Sequence, residues 1–146
     1  MTKAAAVLLF DGTCGFCARS VQFVLQHDRR RGTLRFASLE SAMGRDLRRR
    51  HPELGSVDTV IWFEPGDATR TELVAVRSAA VLRVLRYLGG PWPVLAALGT
   101  IVPRALRDRV YDVVARYRHQ LVRGGPACLI PTAEQRARFI EWNSAA

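Results

Sequence analysis

Apolar residues in this chain fall into short unbroken runs and longer stripes of helical period, separated by turn chemistry. Ala4 to Phe10 is one such run, short enough for a buried strand. From Cys14 to about Gln26 the spacing becomes helical, with Cys17, Val21, Val24 and Leu25 on one face, and Asp28 to Gly32 closes the helix. Thr33 to Ala37 predicts a second strand. A polar helix follows from about Glu40 to Arg50, with Ser38 or Ser41 as its cap and Pro52 as its stop. Asp58 to Phe63 is β-branched and aromatic, Glu64-Pro65-Gly66-Asp67 is a turn, and Thr71 to Val76 is apolar again, so the pair predicts a hairpin. Ser78 is then expected to cap a helix running to Leu88, with Val81, Val84, Leu85 and Leu88 at helical spacing and Gly89-Gly90 ending it.

The pattern changes beyond Gly90. Pro93 to Val102 predicts a short apolar helix. Pro103 opens a longer one, in which Leu106, Val110, Val113, Tyr117 and Leu121 form an apolar stripe. Thr132 and Gln135 have capping-box spacing for a last helix reaching about Trp142. Residues 1–90 therefore predict a βαβαββα core and residues 91–146 a helical extension packed on the same domain. Trp92 and the 93–102 segment could form a lid or a dimer contact, but packing against the extension is the default, as it is for Tyr111 and Tyr117.

This order carries a topological argument. A right-handed crossover helix makes the first two strands parallel, and the hairpin most simply lays its first strand antiparallel to the first. That is a thioredoxin-like mixed α/β sheet. It gathers the end of strand one, the start of strand three at Asp58-Thr59 and the end of strand four at Arg77-Ser78 along one edge.

The candidate chemistry lies at that edge. Phe10-Asp11-Gly12-Thr13-Cys14-Gly15-Phe16-Cys17 places two thiols three positions apart where a strand gives way to a helix. Unpaired N–H groups and the positive dipole end at a helix start favour an anion, which makes Cys14 the expected nucleophile. Cys17, one turn further in, is positioned to attack a mixed disulfide at Cys14 and is the expected resolving thiol. Asp11 reads either as the proton acceptor for Cys17 or as a cap for the backbone N–H groups that follow. Arg77 and Ser78 read either as an anion site for a substrate carboxylate, or as an ion-pairing residue beside Asp58 or Asp11 and a simple cap.

Composition narrows the class. Cys14, Cys17 and Cys128 are the three cysteines, which excludes a secreted scaffold held by several disulfides and fits an intracellular protein with a working thiol pair. Cys128 is expected to be a lone buried thiol, with exchange against the dithiol as the alternative. No apolar run reaches the roughly 18 to 20 residues of a membrane span, and Asp11 follows the first run without a signal-peptidase motif, so a cytoplasmic protein without a membrane partner is expected. The net charge of +9 is almost wholly arginine, yet Arg29-Arg30-Arg31 and Arg48-Arg49-Arg50 lie at helix ends without interleaved aromatics, which argues against nucleic acid as the main partner. A structural zinc would need Cys128 and one of His27, His51 or His119 beside the pair. The leading expectation has no metal and no cofactor.

These residues resemble the DCC family of predicted thiol-disulfide oxidoreductases, whose signature is an aspartate followed at fixed spacing by two cysteines, here Asp11, Cys14 and Cys17. Arg35-Phe36-Ala37, Asp58-Thr59-Val60, Arg77-Ser78-Ala79, Gly89-Gly90-Pro91-Trp92 and Leu106-Arg107-Asp108 through Tyr111 extend the resemblance over about residues 6 to 130. Thr13 stands where many members have an acidic residue, and Gly15-Phe16 stands where a proline is frequent. No proline precedes strand three; Asp58-Thr59 occupies the corner where thioredoxins hold an extended substrate. The resemblance implies an oxidoreductase that exchanges disulfides with a cellular dithiol or a low-molecular-weight thiol. A redox-sensing or interaction module of the same fold is the alternative.

Overall fold

The computed structural model of the protein describes residues 5–12, 15–28, 33–57, 60–121 and 132–140. Strand β1 (Val7–Phe10) leads through helix α1 (Gly15–His27) to β2 (Arg35–Ser38) and α2 (Ala42–Arg50), then through a 3-10 turn (Pro52–Ser56) to β3 (Ile61–Glu64) and β4 (Leu73–Val76). Helices α3 (Arg77–Leu88), α4 (Trp92–Ile101), α5 (Arg104–Leu121) and α6 (Ala133–Arg136) follow. The strand order is β2-β1-β3-β4. β1 pairs parallel with β2 and antiparallel with β3, and β3 pairs antiparallel with β4. This is the thioredoxin-like arrangement expected from the crossover and hairpin.

All four β1 residues are buried, because both faces of the sheet are covered. Period-two alternation sends Leu8 and Phe10 into one cluster with Cys17, Val21, Val24 and Ala80, where α1 and α3 pack. It sends Val7 and Leu9 into a second cluster with Ala37, Leu47, Leu54 and Phe63, beneath α2 and the 3-10 turn. The face of α1 expected from spacing is the buried one: Cys17, Val21, Val24 and Leu25 all lie in the core.

Local signals for helix ends are met at several points. Ser41 caps α2 by accepting from the Gly44 N–H, and Thr132 and Gln135 form a reciprocal capping box on α6. Gly89 ends α3 at φ 71°, a conformation in which side chains other than glycine are strained.

Three expectations need correction. Ser78 does not cap α3: Val76 is the N-cap, and Ser78 sits inside the first turn with its hydroxyl donating to Asp108 of α5. The helix expected to run on to about Trp142 breaks after Arg136, because the chain turns to dock on the open edge of β2, and Ile140 is helical again. There the Phe36 N–H donates to the Arg138 carbonyl at 2.9 Å, and Phe139 stacks on Phe36 with ring centroids 5.4 Å apart. The Asp28 carboxylate, wholly buried, accepts from the Arg138 guanidinium and the Tyr87 hydroxyl and so locks that segment to α1 and α3. Trp142 lies outside the described residues.

The third correction concerns the extension. α4 and α5 pack on α3, and α5 also reaches α1. The apolar stripe of α5 is not the docking face: Leu106, Val110, Val113 and Tyr117 are all exposed. The face turned inward carries Arg107, Asp108, Tyr111, Ala115 and Arg118, of which Arg118 is buried. On α4 only Ala96 is buried, and Val94, Leu95, Leu98 and Ile101 face outward, so core packing does not account for most of that segment. Trp92 packs against the core, edge-on to Phe23 and His27.

Candidate functional site

Asp11 directly follows the last residue of β1, where the strand leaves the sheet beside the start of α1. It is buried, and its Oδ2 lies 3.6 Å from Nη2 of Arg118, the buried arginine of α5. Attraction between the two charges is strengthened by their removal from water, and each offsets the desolvation of the other. The end of β1 is thus tied to a helix about a hundred residues later in the chain.

Cys17 is the third residue of α1 and the one cysteine among the described residues. Its side chain is 3% exposed and packs with Leu8, Phe10 and Val21. It also forms part of the wall of a half-open cavity of about 890 Å³ between α1, α3 and α5. Phe16, Val21, Val84, Leu85, Val110 and Val114 supply much of an almost entirely apolar lining. Ser78 and Arg118 line it too. The cavity therefore gathers Cys17, Ser78 and the arginine that holds Asp11.

At the β4–α3 corner, α5 again supplies the partners. Asp108 accepts from both the hydroxyl and the backbone N–H of Ser78, taking the place of a cap on the first turn of α3. These bonds, with Arg104 and Arg77 nearby, hold the Asp108 carboxyl below the usual carboxylate range. Arg77 turns toward α5 as well, its Nε 3.7 Å from Oδ1 of Asp112. α5 lies across this corner and so supplies Asp112, whereas Asp58, one of the acidic neighbours expected for Arg77, lies outside the described residues. Arg77 also has φ 53°, a left-handed conformation that costs a side chain of this kind of order 1–3 kcal/mol and persists only where surrounding contacts hold it.

The structure thus places Cys17 and Ser78 in the wall of one cavity, with Asp11 linked to that wall through Arg118 and Arg77 next to Ser78 in the chain. Cys14, Asp58, Thr59 and Cys128 lie outside the described residues. Arg118, Asp108 and Asp112 were not singled out from sequence. A signal for two of them exists: Asp108, Tyr111, Ala115 and Arg118 recur at intervals of three and four along α5, marking a second, mixed stripe beside the apolar one.

Of the candidate zinc ligands, His51 is bonded to Glu53 and Glu72, and the His27 Nδ1 lies 2.8 Å from the Phe23 carbonyl. Among the described residues no group of three or more potential ligands is placed to hold a metal, and no helix is long and apolar enough to cross a membrane.

Comparison with known proteins bears on this arrangement. The chain is 33% identical over 135 residues to the uncharacterized protein YuxK of Bacillus subtilis, covering 92% of this chain and 93% of that one. It is 32% identical over 123 residues to a chloroplastic DCC family protein of Arabidopsis thaliana, covering 84% of this chain and 67% of that one. No solved structure matches. Residues 8–124, from the middle of β1 past the end of α5, match the profile of one family throughout, so the strand end, the thiol helix and the helix that braces them fall within a single unit of descent. The chain belongs to the DCC1-like thiol-disulfide oxidoreductase family.

Proposed function

We propose that this protein exchanges thiols and disulfides through Cys14 and Cys17, with Asp11 assisting the resolving step. The observation that carries the reading is the position of Cys17: a thiol on the first turn of α1, next to the end of β1, in the wall of a cavity large enough for a substrate. Cys14 precedes it by three residues in the sequence, immediately before the first residue of α1.

In the reductive direction the Cys14 thiolate attacks a substrate disulfide, forming a mixed disulfide and expelling one substrate thiolate. Cys17 gives its proton to Asp11 and attacks the Cys14 sulfur, which expels the second substrate thiolate and leaves a Cys14–Cys17 disulfide. Two electrons and two protons from a cellular dithiol or a low-molecular-weight thiol restore the pair. Arg118 positions Asp11, and the Ser78–Asp108 contact fixes the corner that, with Asp58 and Thr59, borders the substrate. Residues 91–146 act in this reading as an extension that braces the site of the 1–90 core.

The test is to replace Cys17 with Ser and search cell extract by mass spectrometry for a partner trapped on Cys14. A mixed disulfide that is absent from a Cys14→Ser control is expected. Failure to trap any partner, together with no Cys14–Cys17 bond under oxidation, would refute the mechanism.

The outward apolar faces of α4 and α5 favour a second reading, a redox-sensing interaction module of the same fold. Multiple turnovers of a disulfide with a reductant distinguish exchange from the single stoichiometric oxidation of a sensor.

A further inference from the structure

The cavity beside Cys17 has a charge imbalance that the exchange chemistry does not use. Its walls come from α1, α3 and α5 and are apolar, and among the described residues no acidic side chain lines it. Three arginines do: Arg19, Arg107 and Arg118. Arg118 is engaged with Asp11. Arg107 is different. Its Nε and Nη1 are both withdrawn from solvent and have no hydrogen-bond acceptor. A buried guanidinium nitrogen without an acceptor is costly, and such groups in folded proteins generally find one from protein, water or ligand. An apolar chamber of about 890 Å³ is in the size range of small-molecule sites.

We propose that this cavity binds an amphipathic molecule with an apolar carbon chain and a single carboxylate, the carboxylate engaging Arg107 and the chain lying against Val84, Val110 and Cys17. The inference deepens the exchange reading by naming its substrate class, a thiol or disulfide carried on such a chain, and rests on that reading for this role alone. For a dithiol substrate the step balances. One substrate thiolate attacks the Cys14–Cys17 disulfide, forming a mixed disulfide and releasing one protein thiol. The second substrate thiol then closes a ring on the first, leaving both cysteines reduced and the substrate oxidised by two electrons, with its two protons transferred.

Two measurements test this. Calorimetric titration of the full chain with octanoate and with octanamide reads binding without any redox step. The expected result is roughly tenfold tighter binding of the acid, from a charge-assisted contact in an apolar site. Arg107→Met should erase the preference, Arg107→Lys should keep part of it, and Val110→Trp, which fills the chamber from an exposed helix position, should weaken both ligands. Equal binding of acid and amide by the native chain, or a preference that survives Arg107→Met, would overturn the site.

The second measurement is reduction of the oxidised protein by dihydrolipoate and by dihydrolipoamide. A lower KM for the acid, lost in Arg107→Met without change in kcat, is expected. Arg107-dependent octanoate binding with no reduction by either dithiol would overturn the substrate assignment and the exchange reading while leaving the ligand site standing.

Discussion

The sheet with α1 and the long helix α5 follow opposite rules. In α1 the apolar stripe is the buried stripe, and Cys17, Val21, Val24 and Leu25 enter the core as their spacing requires. In α5 an equally regular stripe of Leu106, Val110, Val113 and Tyr117 is left exposed, with only Val110 of the four lining the cavity, while Asp108 and Arg118 turn inward. The difference lies in what each helix covers. α1 lies over Leu8 and Phe10 of the sheet, which offer only apolar surface. α5 lies over the end of β1 and the first turn of α3, which offer a carboxylate and backbone donors needing partners. Periodicity identifies the apolar face of a helix; the surface beneath it decides which face docks.

Substitutions on the two sides can break this contrast. Phe36→Ala empties a fully buried site in β2 and should cost about 3–5 kcal/mol in urea denaturation, the largest effect expected. Arg118→Met leaves the buried Asp11 without its guanidinium and should cost about 3 kcal/mol. Adding Asp11→Asn should recover part of that loss, and a purely additive double-mutant cycle would show that the pair is not coupled.

Asp108→Asn should cost about 1 kcal/mol at neutral pH, the value of a helix cap. Because the folded-state carboxyl titrates below its ordinary 3.8, its contribution is present above that pH and fades as pH falls through the folded value. The native and variant denaturation midpoints should therefore converge in acid; a constant gap would remove Asp108 as the ionised partner of Ser78.

Two smaller effects sharpen the comparison. His51 is pulled upward from its ordinary 6.5 by its bond to Glu72, which is itself lowered from 4.5 by His51 and then Arg50. The histidine contribution is complete below 6.5 and is lost as pH rises through the folded value, while that of Glu72 appears above 4.5. His51→Gln should lower Tm slightly at about pH 5.5 and less at about pH 9; the reverse order would exclude a charged pair. Val113→Ser, on the outward stripe of α5, should change stability by less than about 0.5 kcal/mol. A loss several times larger would place that stripe in a buried contact.

The chain positions of Asp11, Cys17 and Ser78 at element ends were legible because they depend on local signals. Asp11, Cys17 and Ser78 each sit where a strand meets a helix, and the crossover and hairpin rules bring those junctions to one edge. The early end of α6 was not legible. The capping box at Thr132 and Gln135 promises a longer helix, but docking of Arg138 and Phe139 on β2 outweighs helix propagation. Ser78 was misjudged for a related reason: a serine near a helix start usually caps it, and only the arrival of Asp108 from thirty residues away frees its hydroxyl for another bond.

By itself the sequence determined the order of elements, the buried face of α1, the ends marked by Thr132 and Gly89, and the placing of Asp11 just after β1 and Cys17 in the first turn of α1. These depend on neighbours a few residues away and on the handedness of L-peptides. Tertiary structure alone decided which face of α5 turns inward, that Arg118 holds Asp11 and that Arg77 leans to Asp112. It also set a cavity bearing an unanswered Arg107 beside the thiol. Those outcomes follow from desolvation: charges and backbone donors buried at the edge had to be matched by whichever distant helix could bring them partners.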